Sequence, residues 1–498
     1  MTAEHLADKS REELVETILE MHQRLSYLER QLFGQKSERF VPTEDDEQMS
    51  LDLGVDSGQE QDVHTQHISY DRHVGTKNAG HCRGPMPTNL PIREVTLEPE
   101  DGTEGTVIGT DVTWEYQFKR GSLYIVCYSR PRYARPDMSV AIAKLPPRPI
   151  DKGNAGPSML AHVITQKYLY HMPLDRQRRQ LRAEYEVNIA ESTLCDWVKR
   201  SCRWLEPVYQ ELVDQVQACD YVQADETPIQ VLVRDKKGKS HRGYFWVYHA
   251  PLENITAFVY SKSRARAGPN KFLKAFKGTL QVDGYTGYDE VLRRSDVTWA
   301  ACMAHVRRKF EEALDSDRER AGHALGHIKQ WFAVEAQATE AELNHEQRLA
   351  LRKAKTAQSM GQFYRWLKEQ RHSVLPKSPL GKAVTYALNQ WKGFEPFLED
   401  GRIELSNNGV ENKIRPVALG RKNYLFKGSH DAAQRGAVIY SLSATAQKLG
   451  IDPYLYFTDL LERRPADKDA DPAGLVPAVW KQRYMDEAVK REEDRLAT

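Results

Sequence analysis

Residues 220–233 read DYVQADETPIQVLV, an apolar run with Asp225 at its centre and the turn-like RDKKGKS after it. Its β-branched and apolar residues predict a buried β-strand. A carboxylate at such a position needs partners, because burying an unpaired charge costs several kcal/mol. We therefore expect Asp225 to belong to a site that other parts of the chain complete.

Two later segments offer further carboxylates for this site. TLQVDGYTGYDEVL reads as an apolar strand that ends in Asp283 before a glycine turn. In SNNGVENKIRPVALGRKNYLF, Asn407 and Asn408 predict the start of a helix whose first turn contains Glu411. Oxygen ligands suit Mg²⁺, and two such ions about 4 Å apart can hold the attacking and leaving oxygens of a phosphodiester. Asp225, Asp283 and Glu411 are therefore the candidate metal-binding acids.

The order of the predicted elements indicates the fold class. After the strand with Asp225, GYFWVYHA and ITAFVYSKS predict two more strands, and PNKFLKAFK predicts a helix. The strand before Asp283, a helix from about Tyr285 to Arg293, the strand VTWAACM and the helix AHVRRKFEEAL follow. Three hairpin-linked strands and two β-α units are the layout of an α/β, ribonuclease H-like fold with a mixed five-stranded sheet.

Several sequence blocks carry a family resemblance. ADETP, LQVDGYTGYDEVL, AHVRRKF and NNGVENKIRPVALGRKNYLFKGSH resemble, in this order, blocks of the Insertion Sequence 66 family of bacterial DDE transposases. RQLFGQKSERF, LPPRPIDKGNAGPSMLAHVITQKYLYHMPLDRQ and STLCDWV extend the resemblance to nearly the whole chain. It implies a transposase whose catalytic, metal-binding triad is Asp225, Asp283 and Glu411.

The resemblance also implies cofactors and partners. We expect two Mg²⁺ ions, for which Mn²⁺ can substitute, and cleavage that frees a 3′-hydroxyl, which then attacks target DNA at the same site. The expected partners are the terminal inverted repeats of an insertion sequence, target DNA and accessory proteins encoded by the same element. Ser406 departs from the family pattern, because many members have Asp there, so any auxiliary acid is missing.

Composition favours a cytoplasmic protein, and the resemblance implies that it is bacterial and associated with the nucleoid when bound to DNA. The chain has 498 residues, of which 40% are hydrophobic and 28% charged, so about three domains are expected. It contains no run of about 18 apolar residues and no apolar signal region near its first residue, so no membrane partner is expected. Six cysteines without a C-x-x-C pair fit reduced thiols.

Basic residues predict a path for DNA although the formal net charge is only +1. KSRARAGPNKFLKAFK, VRRKF and IRPVALGRKNYLFKG surround the proposed site, where solvated helix faces are the alternative explanation. YEVNIAESTLCDWVKR resembles the turn and second helix of a helix-turn-helix with Ser192 as N-cap, whereas a helical layer that braces the catalytic domain is the alternative. The candidate DNA-binding residues are Arg176, Arg178, Arg179, Lys199, Arg200, Arg307, Arg308, Arg415, Arg421 and Lys422.

The chain divides into six predicted regions. An N-terminal helix or coiled coil (1–40) precedes a flexible acidic linker (41–88), a small β domain (89–147) and a helical, helix-turn-helix-like domain (148–218). The ribonuclease H-like catalytic domain (219–465) carries an all-α insertion at about 312–400 and ends in closing helices, before a peripheral tail (466–498). A heptad seam predicts a homodimer or larger assembly, with an amphipathic helix packed on its own chain as the alternative. Its members are Leu14, Ile18, Met21, Leu25, Leu28 and Leu32.

We expect no structural zinc. Many members of the resembled family have cysteine pairs in the small β domain, but Cys127 stands alone here. Cys302 and His305 form a C-x-x-H pair without two obvious further ligands nearby, so His305 is interpreted as a structural or phosphate-facing residue.

Other acids and other functions compete with this interpretation. Glu226 would point to the strand face opposite Asp225, and Asp289 would lie on a helix beyond the turn. Glu335, Glu340 and Glu342 are interpreted as a solvated face of the helical insertion. The alternative functions are a catalytically inactive, transposase-derived DNA-binding protein and a nuclease of the ribonuclease H fold.

Overall fold

The computed structural model describes residues 121, 123–126, 132–134, 140–142, 146–151, 153–233 and 239–497. The predicted coil and acidic linker, and Cys127, lie outside the described residues. The residues from Arg132 onward belong to one compact unit. Within the predicted small β domain, strands β1 (Arg132–Ala134) and β2 (Val140–Ile142) form an antiparallel pair.

Within the described part of the chain, three helices precede the main sheet. They are α1 (Pro157–Tyr168), α2 (Leu174–Tyr185) and α3 (Glu191–Ala218). The expected N-cap at Ser192 is wrong, because α3 starts at Glu191 after Ala190, without a side-chain cap. An apolar stripe on α3, including Leu205 and Leu212, is fully buried. Helix α3 thus packs along its length on the unit that contains the main sheet, and its role in binding DNA stays a prediction.

A five-stranded mixed sheet forms the centre of the molecule, as predicted. Its strands are β3 (Tyr221–Leu232), β4 (Ser240–Ala250), β5 (Ile255–Ser261), β6 (Gly278–Val282) and β7 (Val297–Ala301). The order across the sheet is β5-β4-β3-β6-β7. The first three strands pair antiparallel, while β6 runs parallel to both β3 and β7. This arrangement is compatible with a ribonuclease H-like core.

Short helical segments precede, separate and follow the parallel strands β6 and β7 along the chain. Helix α4 (Ala267–Phe272) leads into β6, and a 3₁₀ turn (Thr286–Tyr288) with α5 (Asp289–Leu292) leads from β6 to β7. Helix α6 (Met303–Glu311) starts two residues after β7 ends. Parallel strands end at the same edge of a sheet, so this topology places the residues that follow β6 and β7 near the middle of β3.

The stretch predicted as an all-α insertion is helical in the structure. It contains α7 (Arg318–Glu340), α8 (His345–Lys355), α9 (Ala357–Ser373), α10 (Pro379–Gln390) and α11 (Glu395–Glu399). One buried apolar cluster joins α7, α9, α10 and α11 to Ala301 of β7 and Phe310 of α6. The insertion therefore shares its core with the edge of the sheet instead of forming a separate body.

The last four helices close the unit. They are α12 (Asn408–Tyr424), α13 (His430–Lys448), α14 (Pro453–Ala466) and α15 (Pro477–Ala497). The C-terminal stretch differs from the expected peripheral tail, because Trp480 on α15 is fully buried and its indole N–H donates to Asp459 Oδ2 at 2.7 Å. Among the described helices, none has the length and apolar character needed to cross a membrane.

Candidate active site

Strand register places Asp225 beside Asp283. β3 and β6 pair in parallel with Gln223 opposite Gln281, and each acid follows its glutamine by two residues. Asp283 comes directly after β6, and its Oδ1 accepts a hydrogen bond from the Tyr285 backbone N–H at 3.0 Å. The two carboxylates therefore emerge from neighbouring strands at the same level of the sheet.

The third predicted acid, Glu411, lies in the first turn of α12. The start of this helix is held against β3 by the Val410 N–H, which donates to Gln223 Oε1 at 3.1 Å. Gly409 makes this approach possible, because a Cβ there would lie 2.5 Å from the same oxygen. The absence of a side chain at Gly409 thus positions Glu411 next to the strand that carries Asp225.

Buried neutral side chains beneath the acids connect the three elements. The Gln223 side-chain amide donates to Gln281 Oε1 at 3.0 Å and to Glu404 Oε2 at 2.8 Å. The Tyr221 hydroxyl donates to Gln281 Oε1 at 2.6 Å, and the Glu404 N–H donates to the Tyr221 oxygen at 3.0 Å. Sequence reasoning missed these residues. The available signal was a glutamine two positions before Asp225 and another two positions before Asp283, in strands otherwise rich in apolar residues.

The three acids also interact electrostatically. Burial raises the pKa of Asp225 well above its ordinary value, and the negative charges of Glu226, Asp283 and Glu411 raise it further. Glu411 Oε1 is buried and has no hydrogen-bond partner among the described residues. His305 Nε2 lies 3.7 Å from Oε1, but burial lowers the pKa of this imidazole, and the guanidinium of Arg308 lies 3.8 Å from Oε2. The site holds more negative charge than these neighbours neutralise, as a cation site requires.

The rival Glu226 has a partner of its own. Its carboxylate is buried, forms an ion pair with Arg264 and accepts the Arg264 Nε–H at 2.7 Å. Burial and the charge of Asp283 raise the pKa of Glu226 to about 7, although Arg264 opposes the shift. The guanidinium of Arg264 also stacks over the Tyr285 ring, 3.9 Å from its centroid. Sequence reasoning did not single out Arg264 among the basic residues of its segment.

The remaining rival acids are explained by local structure. Asp289 starts α5 and lies 4.0 Å from Arg293. Glu335 forms ion pairs with Arg348 and the buried Arg352. Glu340 and Glu342 are exposed, at the end of α7 and just after it. These four acids therefore have structural or solvent-facing roles.

The predicted DNA-binding residues are spread over several elements, and Arg308 forms an ion pair with Glu411. Arg421 turns inward and donates to the Pro228 carbonyl, and Arg176 donates to Asn423 Oδ1 at 3.2 Å, which connects α2 to α12. Lys199 and Lys422 are exposed, and Arg415 is half-buried. Ion pairs with an acid three or four positions away in the same helix are formed by each of Arg178, Arg179, Arg200 and Arg307. Partly exposed pairs of this kind are weak, so these arginines remain available to phosphates.

A second donor set overlaps the site. Ligand atoms of Cys302, His305 and Glu411 all lie within 4.8 Å of one another. Cys302 directly follows β7, and His305 lies in the first turn of α6. The sequence had offered no third ligand for the C-x-x-H pair, and the fold supplies one from α12.

Comparisons with known proteins give a consistent result. The protein-family sequence model described as "Transposase IS66 family" matches residues 152–435. A second family model, described as "Transposase C of IS166 homeodomain", matches residues 20–95. The uncharacterized protein y4jD of Sinorhizobium fredii is 30% identical over 480 residues, which cover 91% of this chain and 92% of that protein. The uncharacterized protein y4hP of the same organism is 30% identical over 500 residues, covering 93% and 89%.

Proposed function

We propose that this chain, which belongs to the transposase IS66 family, is a DDE transposase that cuts the ends of an insertion sequence and joins them to target DNA. Asp225, Asp283 and Glu411 serve as its catalytic acids. The observation that carries the proposal is the convergence of these carboxylates from β3, the end of β6 and the start of α12. Burial raises the pKa of Asp225, and the charges of Glu226, Asp283 and Glu411 raise it further.

The donor set fits magnesium. All three groups offer carboxylate oxygens, and Glu411 Oε1 has no hydrogen-bond partner within the described part of the chain. When bound, two Mg²⁺ ions supply charge neutralisation, water activation and alignment of the attacking and leaving oxygens. Mn²⁺ has the same preference for oxygen ligands and can replace them.

The remaining residues position the acids and the DNA. Gln223 fixes the start of α12, and Arg264 balances the charge of Glu226 next to Asp283. Arg308 lies beside Glu411, where its guanidinium can exchange its long contact with that carboxylate for a phosphate. The terminal inverted repeats and the target DNA are the proposed partners, together with a second copy of the chain and accessory proteins of the same element.

A strand-transfer assay tests this function with labelled DNA that carries the ends of the insertion sequence, supplied with Mg²⁺. Joined products support a transposase, products that are only cut indicate a nuclease, and bound but intact DNA indicates an inactive binding protein. Asp225→Asn, Asp283→Asn and Glu411→Gln should each abolish cleavage, because each removes a charge that holds metal while keeping the size of the side chain.

DNA binding should persist in all three variants, since Lys and Arg contacts to phosphates supply most of its free energy. The matched control is Glu340→Gln, which makes the same chemical change at an exposed residue of the helical insertion. Wild-type cleavage by Glu411→Gln together with loss of cleavage in Glu340→Gln would show that the third acid is misassigned.

A further inference from the structure

Cys302, His305 and Glu411 come together because two helices start at the same place. Cys302 precedes α6, His305 lies in the first turn of α6, and Glu411 lies in the first turn of α12. The Asn407 backbone N–H, at the start of α12, donates to Cys302 Sγ at 3.4 Å and ties the two helix starts together. The three side chains thus occupy a fixed position at the edge of the proposed active site.

Two polar atoms in this cluster lack partners. Glu411 Oε1 and His305 Nδ1 are both buried, and neither forms a hydrogen bond with any described residue. Leaving a buried donor or acceptor unsatisfied costs about 1–3 kcal/mol each, so such atoms favour a bound water or ion. The other ring nitrogen of His305, Nε2, lies 3.7 Å from Glu411 Oε1.

Cys302 is surrounded by donors that suit a thiolate. The backbone N–H groups of Asn407, His305 and Ala304 favour the charged form, and burial together with Glu411 opposes it, raising the pKa of the thiol to about 12. A divalent cation would reverse this balance, since a coordinating thiol is deprotonated outright. Metal binding would therefore release the Sγ proton to solvent and form a sulfur–metal bond.

The donor set selects the metal. One sulfur, one imidazole nitrogen and one carboxylate oxygen suit Zn²⁺ and not Mg²⁺, which requires oxygen ligands. Zinc–ligand bonds of about 2.0–2.3 Å place tetrahedral ligands roughly 3.3–3.7 Å apart. The cluster's donors, all within 4.8 Å of one another, need only small side-chain adjustments to reach that geometry. Water would complete the coordination.

We propose that Cys302, His305 and Glu411 form an exchangeable site for Zn²⁺ or a similar borderline cation. Glu411 belongs to both sites, so a cation bound to Cys302 and His305 removes one magnesium ligand and blocks DNA cleavage. This inhibitory consequence rests on the proposed function, whereas metal binding itself does not. The site differs from the structural zinc that the sequence analysis excluded, because it has three protein ligands and one of them is shared.

Cobalt titration of the full chain tests the binding. Co²⁺ is the probe, because a cobalt–thiolate bond gives a charge-transfer absorption band. We expect a saturable band at one equivalent per chain, which Zn²⁺ removes by competition. Cys302→Ser should abolish the band, and Glu411→Gln should weaken cobalt binding at least tenfold. Cys195→Ser is the matched control, since it makes the same change at an exposed cysteine of α3 and should leave the band intact.

Thermal unfolding of each variant without metal shows whether it remains folded. Absence of the band in the wild-type protein, or its persistence in Cys302→Ser, would overturn the proposed site. In the same preparations, Zn²⁺ should inhibit Mg²⁺-dependent cleavage by the wild type but not by a folded and active Cys302→Ser variant. A cobalt band without any cleavage would contradict the proposed function alone, and cleavage without a cobalt band would contradict this inference alone.

Discussion

At the scale of single residues, the ion pair between Glu226 and Arg264 supports the strand that carries Asp225. The Glu226 side chain is 4% exposed, whereas that of Arg264 is 46% exposed. Arg264→Met would leave a buried carboxylate beside Asp283 without its cation. We expect a loss of about 2 kcal/mol in the free energy of unfolding, measured with urea, because breaking a buried pair costs more than the pair contributes.

The double variant Arg264→Met with Glu226→Gln is the control for this experiment. It removes the orphaned charge, so it should recover most of the stability lost in the single variant. Equal stability of Arg264→Met and the wild type would show that the carboxylate does not depend on this partner.

A second residue-scale prediction concerns pH. His249 is buried, and its Nδ1 lies 3.0 Å from the Ile255 carbonyl oxygen. Burial, aided by the charge of Lys413, lowers the pKa of His249 from 6.5 to about 4. As the pH falls, His249 therefore binds a proton in the unfolded chain at a higher pH than in the folded chain. The part of the free energy of unfolding that neutral His249 contributes above pH 6.5 is lost between pH 6.5 and about 4. The loss should reach about 3 kcal/mol.

His249→Asn removes the titration while its amide nitrogen can still donate to the Ile255 carbonyl. Melting temperatures across this pH range should fall less steeply for the variant than for the wild type. Parallel curves would contradict the assignment of this pH dependence to His249.

Sequence reasoning singled out the candidate acids but not the residues whose hydrogen bonds and ion pairs hold the surrounding elements together. Asp225 could be found because an acid interrupts an apolar run, and Glu411 because it follows a helix start. Gln223 and Gln281 carry no charge and have no helical or turn pattern, so their connecting role depends on pairing between β3 and β6. Arg264 is one of several basic residues in its segment, and only the fold brings it to Glu226.

At the scale of elements, α12 is attached to β3 near both of its ends. Gln223 holds its first turn, and after its last turn the Lys427 N–H donates to the Gln230 carbonyl at 2.8 Å. The helix and the intervening part of the strand each span about 25 Å. This match keeps Glu411 in a fixed position relative to Asp225.

The turn between the end of α12 and Lys427, where the chain is attached to β3 a second time, is strained. Leu425 has a φ of 54°, and the Phe426 N–H donates to the Tyr424 carbonyl across it at 2.5 Å. Non-glycine residues rarely adopt this conformation, which costs about 1–3 kcal/mol. Leu425 is 65% exposed, so its side chain contributes little burial. We therefore expect Leu425→Gly to increase the free energy of unfolding by about 1 kcal/mol.

Leu419→Gly is the matched control for Leu425→Gly. Leu419 is 52% exposed but lies within α12, where glycine should reduce stability by about 1 kcal/mol. Chemical denaturation of both variants measures these changes. A loss of stability in Leu425→Gly as large as that in Leu419→Gly would refute the strain at this turn.

Element type and order were more predictable than element ends. The five strands follow from apolar and β-branched runs between polar turns, and their succession along the chain was predicted. The start of α3 was misplaced, because Ser192 has the preferred chemistry for an N-cap but Ala190 adopts the extended backbone that begins the helix. The turn at Leu425 could not be predicted, since leucine is a poor residue for that conformation and tertiary contacts impose it.

At the scale of the whole molecule, tertiary contacts change the role expected for the C-terminal stretch. Its charged composition, KREEDRL, is typical of a solvated tail. A single large apolar residue, Trp480, nevertheless anchors α15, and Arg491 donates to the buried Asp459 at 2.9 Å. Ion pairs of Glu487 with Arg463 and of Arg495 with Glu462 also join α15 to α14. One tryptophan anchor and several ion pairs give no periodic apolar pattern, so sequence reasoning could not identify this docking.

Assembly is the whole-molecule property that the proposed function requires, because one transposition event handles two DNA ends. The heptad seam before residue 40 lies outside the described residues, so dimer formation through it stays a prediction from sequence. Aspartate at two neighbouring seam positions, Leu25→Asp with Leu28→Asp, should disrupt a coiled coil, since it buries like charges across the interface. Gln23→Asp with Ser26→Asp adds the same charge outside the seam.

Light scattering on the full chain measures the result. A monomer has a mass of 57.2 kDa, and the wild type and the control should be at least twice as heavy. The seam variant should fall to the monomer mass, or to a smaller oligomer if a second interface exists, while its far-ultraviolet circular dichroism stays near that of the control. The same seam variant should lose joining of paired ends before it loses cleavage of a single end, because the three proposed catalytic acids belong to one chain. An unchanged mass would remove the seam from the assembly and leave the two ends to be paired by another surface.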